Sequence, residues 1–123
     1  MENKSSRKLI IYQKAKSLVL LVYKITNNYP KSELFVIVPQ IRRAVLSVAA
    51  NIVEGYARNS TKEYVRYLTI AIGSLTELEV FIDISLELKY LSKKDYDNVM
   101  SLITENKKLL YVSRNTISRK VKR

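Results

Sequence analysis

The sequence PQIRRAVLSVAANIVEGYAR, residues 39–58, decides the fold of this chain. On a helical wheel its polar side chains fall into one narrow stripe, formed by Gln40, Arg43, Ser47, Asn51, Glu54 and Arg58. Nearly every other position is apolar or small, and Arg42 is the one clear exception. A helix that is apolar over most of its circumference is normally buried on several sides. The segment therefore predicts a central helix. One small bundle would leave part of its apolar surface exposed, so we expect a second subunit to cover it.

Apolar residues recur at steps of three and four on both sides of this segment, which is the spacing of amphipathic helices. The pattern predicts helices at roughly residues 7–28, 39–57, 61–88 and 93–118. Pro30 ends the first helix, because the residue before a proline is pushed out of the α region. Ser60 and Ser92, each followed three residues later by an acid, predict the N-caps of the last two helices. We expect an all-α chain with a single domain over residues 1–123, an antiparallel up-down-up-down four-helix bundle.

The residue composition excludes most enzyme classes. The chain has only two glycines and two prolines, which favours long uninterrupted helices, and it has no cysteine and no histidine. The missing residues remove thiolate chemistry, the commonest general acid–base group and the commonest transition-metal ligand. We therefore expect no enzyme, no cofactor and no metal site; an all-carboxylate site at Glu54, Glu77 and Glu79 is the remaining alternative. No segment approaches the roughly 20 apolar residues of a membrane span, so we expect a cytoplasmic protein without a membrane partner.

Positive charge is concentrated at the two ends of the chain. The formal net charge is +11; residues 1–31 carry +6 and residues 107–123 carry +7, whereas residues 32–106 carry −2. In the predicted bundle, the start of helix 1 and the end of helix 4 lie at the same end, so both regions form one basic patch. Such a patch either serves solubility or binds a polyanion through its phosphates. The candidate contacts are Lys4, Arg7, Lys8, Lys107, Lys108, Arg114, Arg119, Lys120 and Lys122.

The polar stripe of helix 2 predicts a structural network. Arg43 and Glu54 lie about 16 Å apart along a helix axis, so they cannot pair with each other. A buried charge without a partner is costly. We expect Glu77 of helix 3 to pair with Arg43, and Arg58 to pair with Glu54 across one helical turn. The network is formed by Arg43, Asn51, Glu54 and Glu77 and would fix either the register of the helices or a contact between subunits. The missing side chains of Gly55 and Gly73 would let neighbouring helices approach closely.

A family resemblance covers nearly the whole chain. The stretch from Gln40 to Arg58, the later Gly73-Ser74-Leu75-Thr76-Glu77-Leu78 and the Tyr29-Pro30 pair followed by Glu33 carry it. They resemble the four-helix bundle family of proteins encoded in intervening sequences of bacterial 23S ribosomal RNA genes. That family includes homo-pentamers and is similar to the accessory protein of diversity-generating retroelements, a basic pentameric barrel that binds nucleic acid. The chain departs from the family pattern at Val36–Pro39, where a Thr or Ser cap normally precedes helix 2, and at Val53, where Ala is usual.

The charge and the resemblance together predict a function. We expect a non-enzymatic homo-oligomer that binds nucleic acid through the basic end, with RNA as the first candidate. The resemblance implies that the oligomer is a pentamer. The alternative is a protein-interaction scaffold whose positive surface docks an acidic partner protein. The two hypotheses use the same surface, and RNA binding that weakens with salt distinguishes them.

Overall fold

The computed structural model describes residues 9–121, with side chains to residue 119, and this range is helical with no strand. The helices are α1 (Ile10–Thr26), α2 (Ile37–Tyr56), α3 (Thr61–Glu87) and α4 (Lys93–Val121), with a short 3₁₀ helix at Lys31–Glu33 between α1 and α2. The predicted start of the first helix near Arg7 is too early, because Leu9 is still extended. α2 begins two residues before Pro39, and α4 continues beyond residue 118.

Each helix packs against two others in a closed arrangement. α2 contacts α1 and α3, and α4 likewise contacts both α1 and α3. Near the middle of α2, Ser47 Oγ lies 2.8 Å from Ser74 Oγ, whereas near its end Gly55 packs against Tyr67 at the start of α3. The order of these contacts shows that α2 and α3 run in opposite directions. These are the contacts of a four-helix bundle.

The core follows the predicted apolar spacing. Each fully buried aliphatic side chain stabilises the fold by about 1.5–3 kcal/mol relative to an exposed one. The largest of them are Leu18, Ile41, Ile52, Leu68, Leu75, Leu78, Ile82, Ile103 and Leu110. Asn106 is buried among them, and its amide donates to the carbonyl oxygens of Leu102 at 2.9 Å and Lys14 at 3.3 Å. In the described part of the chain, no helix is both long and apolar enough to cross a membrane.

The helix ends follow the local sequence. Ser60 Oγ accepts from the Glu63 amide at 3.2 Å, and Ser92 Oγ accepts from the Asp95 amide at 3.1 Å, as the capping pattern predicts. α2 begins after Val36, which provides no side-chain cap. The absence of a cap agrees with the sequence at Val36–Pro39, which has no Ser or Thr before the helix.

α3 ends in a tight hydrogen-bonded turn. Lys89 has a φ of 64°, in the left-handed region. Its amide donates to Leu86 O, and the next amide, of Tyr90, donates to Ser85 O, both at 2.9 Å. These two bonds form a Schellman motif, which satisfies carbonyl groups that the helix itself leaves free.

Candidate nucleic-acid interface

Because the helices alternate in direction, the starts of α1 and α3 and the ends of α2 and α4 point toward the same end of the bundle. Gly55 near the end of α2 packs against the start of α3, and the start of α1 packs against the middle of α4, where Lys14 Nζ lies 2.9 Å from Glu105 Oε2. We call this the basic end and define it by residues 9–16, 54–66 and 107–119. These ranges contain nine lysines and arginines and two acids, and two of the lysines, Lys14 and Lys107, are ion-paired with Glu105 and Glu79 just outside the ranges. The rest of residues 9–121 holds eight basic and eight acidic residues, so the surplus of positive charge lies at the basic end.

Four of the nine predicted nucleic-acid contacts have described side chains, and their environments differ. Lys108 and Arg119 are exposed on α4. The Arg114 guanidinium lies 4.9 Å from the centre of the Tyr111 ring. Lys107 donates to Glu79 Oε1 at 2.6 Å, and both side chains are largely buried between α3 and α4. The charge of Lys107 is therefore already paired, which makes it a weaker phosphate contact than predicted.

The remaining predicted contacts fall outside what the structure describes. Lys4, Arg7, Lys8 and Lys122 lie beyond residues 9–121, and the side chain of Lys120 lies beyond the described side chains.

Sequence reasoning missed the part of the basic end where α2 meets α3. Arg58 Nη2 donates to both Glu54 Oε1 and Tyr67 Oη at 2.8 Å. The guanidinium groups of Arg58 and Arg66 lie 5.1 and 4.8 Å from the centre of the same Tyr67 ring. Lys62 is exposed in the first turn of α3. The sequence segment 32–106 has a slightly negative net charge, so a count of charges along the sequence does not reveal these cations. They become apparent when charges are counted by position along the axis of the bundle.

The surface chemistry of the basic end suits a polyanion. Lysine and arginine side chains neutralise phosphates, and arginine stacks on aromatic rings. Tyr111 is 40% exposed, and Tyr67 is half-buried beneath two guanidinium groups. Rings of this kind stack on the bases of single-stranded nucleic acid.

The polar stripe of α2 forms no buried network among the described residues, so the predicted network is not found within one chain. Arg43 is exposed and bonds to Gln40 Oε1, so the predicted pair with Glu77 is absent. Glu54 does pair with Arg58, at 2.8 Å, but both side chains are exposed. The wheel identified the polar side of α2 correctly. It did not show that this side faces outward.

The middle of the stripe contacts α3, as does Arg58 at its end. Ser47 and Asn51 are half-buried there. Asn51 Nδ2 donates to Ser47 O at 2.8 Å and to Ser47 Oγ at 3.0 Å, while Ser47 Oγ also bonds to Ser74 Oγ. These hydrogen bonds between uncharged groups fix the axial position of α2 relative to α3.

The two glycines have different surroundings. A Cβ at Gly55 would lie 2.7 Å from Tyr67 Cβ and 2.9 Å from Tyr64 Cδ1, so α2 and α3 approach closely only because this side chain is missing. A Cβ at Gly73 would meet no described atom within 4 Å. Within this subunit, Gly73 therefore does not permit the close helix approach that the sequence suggested.

Arg42, the exception on the apolar side of α2, joins α2 to the end of α1. Its Nε donates to Thr26 Oγ1 and its Nη2 to Asn27 Oδ1, both at 3.0 Å. Its guanidinium lies 4.4 Å from the centre of the Tyr23 ring. This contact was missed because a single arginine at the edge of an apolar face gives no signal of its partner.

Apolar side chains remain exposed on the outward faces of α2 and α3. Leu46 of α2 lies beside an open groove of about 540 Å³ between α1 and α2. The exposed apolar residues of the two faces are Leu46 (45%), Ile70 (39%), Val80 (51%), Ile84 (47%) and Leu88 (52%). The helices of this chain leave this surface uncovered.

The all-carboxylate metal site is wrong. Glu79 is bonded to Lys107 between α3 and α4, whereas Glu54 is paired at the basic end. Across the described side chains, no group of three or more metal-ligating residues forms a site for an ion.

Comparison with known proteins places the chain in a family. The family model described as 23S rRNA-intervening sequence protein matches residues 7–112. Among solved structures, the chain is similar to a protein of unknown function from the S23 ribosomal protein family of Bacteroides thetaiotaomicron. The two are 25% identical with a TM-score of 0.77, over 85% of this chain and 98% of the other. No curated protein matches the chain. Because the family model covers most of the chain, and because the chain shares its four-helix fold with the similar solved structure, this chain belongs to the 23S rRNA-intervening sequence protein family.

Proposed function

We propose that this protein is a non-enzymatic, cytoplasmic homo-oligomer that binds nucleic acid, RNA in the first place, through its basic end. The observation that carries the proposal is the placement of charge. Nine basic residues lie at this end with two acidic ones, and after Glu79 and Glu105, which are ion-paired with Lys107 and Lys14, are added, the basic residues are still in excess by five. A cluster of this kind attracts phosphates without reading sequence. The relative from a ribosomal protein family agrees with RNA as the ligand.

Self-association explains the apolar surface of α2 and α3. Five large apolar side chains on these faces are between 39% and 52% exposed. Exposed apolar side chains that recur along one side of a helix, as Ile70, Val80 and Ile84 do on α3, commonly mark a protein interface. A ring of parallel copies, pentameric by family resemblance, would cover these faces and bring several basic ends onto one side. The combined charge would bind RNA more strongly than one subunit does.

The test is RNA binding across a salt series. Fluorescence anisotropy with a labelled single-stranded RNA measures the association constant at each salt concentration. Because each neutralised phosphate releases bound cations, the logarithm of this constant should fall linearly with the logarithm of salt, with a slope of about −0.7 per contact. A duplex RNA of equal length, measured in parallel, reports whether exposed bases add to the phosphate contacts.

A matched pair of variants locates the surface. The triple change Lys108→Glu, Arg114→Glu and Arg119→Glu reverses charge at the basic end and should lower the affinity at least 10-fold. The control reverses Lys24, Lys89 and Lys94 to Glu, which changes the net charge equally at the opposite end of the bundle. An equal loss of affinity in both variants would show that only the net charge matters, and would contradict a binding surface at the basic end.

The proposal also fails if the wild-type protein binds no RNA at low salt. Selective capture of an acidic protein by the same surface, lost in the basic-end variant alone, would then favour the interaction scaffold.

A further inference from the structure

The last turns of α4 expose one continuous side to solvent. Lys108, Tyr111, Asn115 and Arg119 are all exposed and follow one another at steps of three or four residues. This spacing places them on one side of the helix, over about 16 Å along its axis. We call this side the outer face of α4. No acid occurs between residues 106 and 121, so every charge on the outer face is positive.

α4 continues beyond the part of the chain that matches the family. The match ends at residue 112, and the helix runs on to Val121. This continuation supplies Asn115 and Arg119 to the outer face. The outer face is therefore longer in this chain than the matched residues alone would make it.

Tyr111 is the most exposed of the nine tyrosines. It is 40% exposed, whereas the other eight are half-buried or buried. The Arg114 guanidinium lies over its ring, 4.9 Å from the ring centre, which is within the range of a cation–π contact. The ring is thus supported by a neighbouring cation, and its exposed area remains open to a flat ligand.

Tyr67, the other tyrosine at the basic end with cations over its ring, is already occupied by its neighbours. The guanidinium groups of Arg58 and Arg66 both lie over this ring, at 5.1 and 4.8 Å from its centre. Its hydroxyl also accepts a hydrogen bond from Arg58 at 2.8 Å. Of these two rings, Tyr111 is therefore the one that a base can reach.

The cations on the outer face are free to bind phosphates. Lys108 and Arg119 form no hydrogen bond or ion pair with any described residue, whereas the adjacent Lys107 is paired with Glu79. Along the helix axis, Lys108 lies about 4.5 Å before Tyr111 and Arg119 lies about 12 Å after it. A base on the Tyr111 ring would therefore have a cation on each side for the phosphates of its own strand.

We infer that the outer face of α4 binds an unpaired strand of RNA, with one base stacked on Tyr111 and the flanking phosphates on Lys108 and Arg119. The inference rests on the proposed function and names the form of RNA that the site prefers. In a duplex the bases are paired and stacked on one another, so they do not reach a protein ring, whereas the phosphates remain accessible. Tyr111 should therefore contribute to the binding of single strands alone, and the two cations to the binding of both forms.

Substitution of the ring tests the stacking. Fluorescence anisotropy compares a labelled single-stranded RNA with a duplex of equal length. Tyr111→Leu should lower the affinity for the single strand about 10-fold and for the duplex by less than about 2-fold. Tyr111→Phe should restore most of the single-strand affinity, because its ring still stacks. Phe35→Leu makes a similar change at an aromatic residue that is 87% exposed between α1 and α2, and should alter neither affinity.

A tryptophan probe tests the contact directly, because the chain has no tryptophan of its own. In Tyr111→Trp, a base stacked on the indole should quench its fluorescence when single-stranded oligouridine is added. Inorganic polyphosphate, a polyanion without bases, should bind the cations and leave the fluorescence unquenched. Phe35→Trp is the control and should respond to neither ligand.

The outcomes separate this inference from the proposed function. If the wild type binds RNA but Tyr111→Leu binds both forms normally, or loses affinity for both equally, the stacking on Tyr111 is overturned and the basic end stands as an RNA-binding surface. Equal quenching of Tyr111→Trp by polyphosphate and oligouridine would overturn it as well. A wild-type chain that binds neither form of RNA at low salt would overturn the proposed function itself. Circular dichroism must show the same helix content in all variants, which excludes misfolding as the cause of any loss.

Discussion

Gly55 of α2 and Tyr67 of α3 lie so close together that no side chain fits at position 55. A Cβ on Gly55 would fall 2.7 Å from Tyr67 Cβ, which is an atom fixed to the backbone and cannot rotate away. The same contact holds Tyr67 where Arg58 donates to its hydroxyl at 2.8 Å. One missing side chain therefore sets both the helix spacing and the arrangement of the cations at the basic end.

Gly55→Ala should lower the free energy of unfolding by about 1–3 kcal/mol, because overpacking forces α2 and α3 apart. Gly73→Ala is the matched control: its Cβ meets no described atom within 4 Å, so the chain should gain up to about 1 kcal/mol from better helix propensity. Urea denaturation of dilute protein measures both. Equal effects of the two substitutions would contradict the close approach at Gly55.

Arg42→Met should destabilise the α1–α2 contact by about 1–3 kcal/mol. The substitution removes hydrogen bonds to Thr26 and Asn27 and the contact with the Tyr23 ring, and Thr26 is only 2% exposed. The neighbouring Arg43→Met should change the stability of the chain by less than about 0.5 kcal/mol, since that side chain is exposed. Denaturation curves that rank the two variants in the opposite order would refute this role for Arg42.

Lys89→Gly should stabilise the chain by about 1 kcal/mol. Lys89 has a φ of 64°, which costs an ordinary residue energy that glycine does not incur. Lys89→Ala removes the same charge but keeps the strain, so it separates the backbone effect from the charge effect. The expected result is a higher midpoint of thermal unfolding for the glycine variant than for the alanine variant.

The sequence predicted the helices and the core well, because both depend on local spacing. Apolar residues at steps of three and four fixed which side of each helix is buried, and serines 60 and 92 marked two helix starts that the structure confirms. The start of α2 was placed two residues late, because Val36 has no side-chain cap to mark it.

The candidate site was harder to predict, because it depends on which segments meet. A wheel shows that Arg43 and Glu54 share a polar side, but not whether that side faces solvent or another helix. Arg58 and Arg66 join the basic end only once the turn between α2 and α3 is placed beside the end of α4. Arg42 finds its partners on another helix, in Thr26 and Asn27. The spacing of residues within α2 does not indicate these partners.

Tyr29 occupies a buried position between α1 and the end of α3. Its ring centre lies 5.6 Å from that of Tyr90, whose hydroxyl donates to Glu33 Oε2 at 2.8 Å. The Tyr29 hydroxyl has no hydrogen-bond partner among the described residues. It lies near Ser85, but that hydroxyl donates to the Phe81 carbonyl oxygen at 2.8 Å. Burial raises the pKa of Tyr29 above its ordinary value of 10.0, and the nearby Ser85 offsets part of this rise.

Tyr29→Phe should make the protein less sensitive to alkaline pH. Because the folded-state pKa is raised, the folded chain keeps a proton above pH 10.0 that the unfolded chain releases. This stabilisation is complete below pH 10.0 and is lost as the pH rises through the folded pKa. Urea denaturation at neutral pH and just above pH 10.0 should therefore show a smaller loss of unfolding free energy in the variant than in the wild type. At neutral pH the variant should equal the wild type or exceed it by up to about 1 kcal/mol, since the lost hydroxyl was unsatisfied. Tyr111→Phe, at an exposed ring, controls for the loss of a tyrosine hydroxyl elsewhere, and an identical alkaline loss in wild type and Tyr29→Phe would show that burial of Tyr29 does not shape the pH dependence.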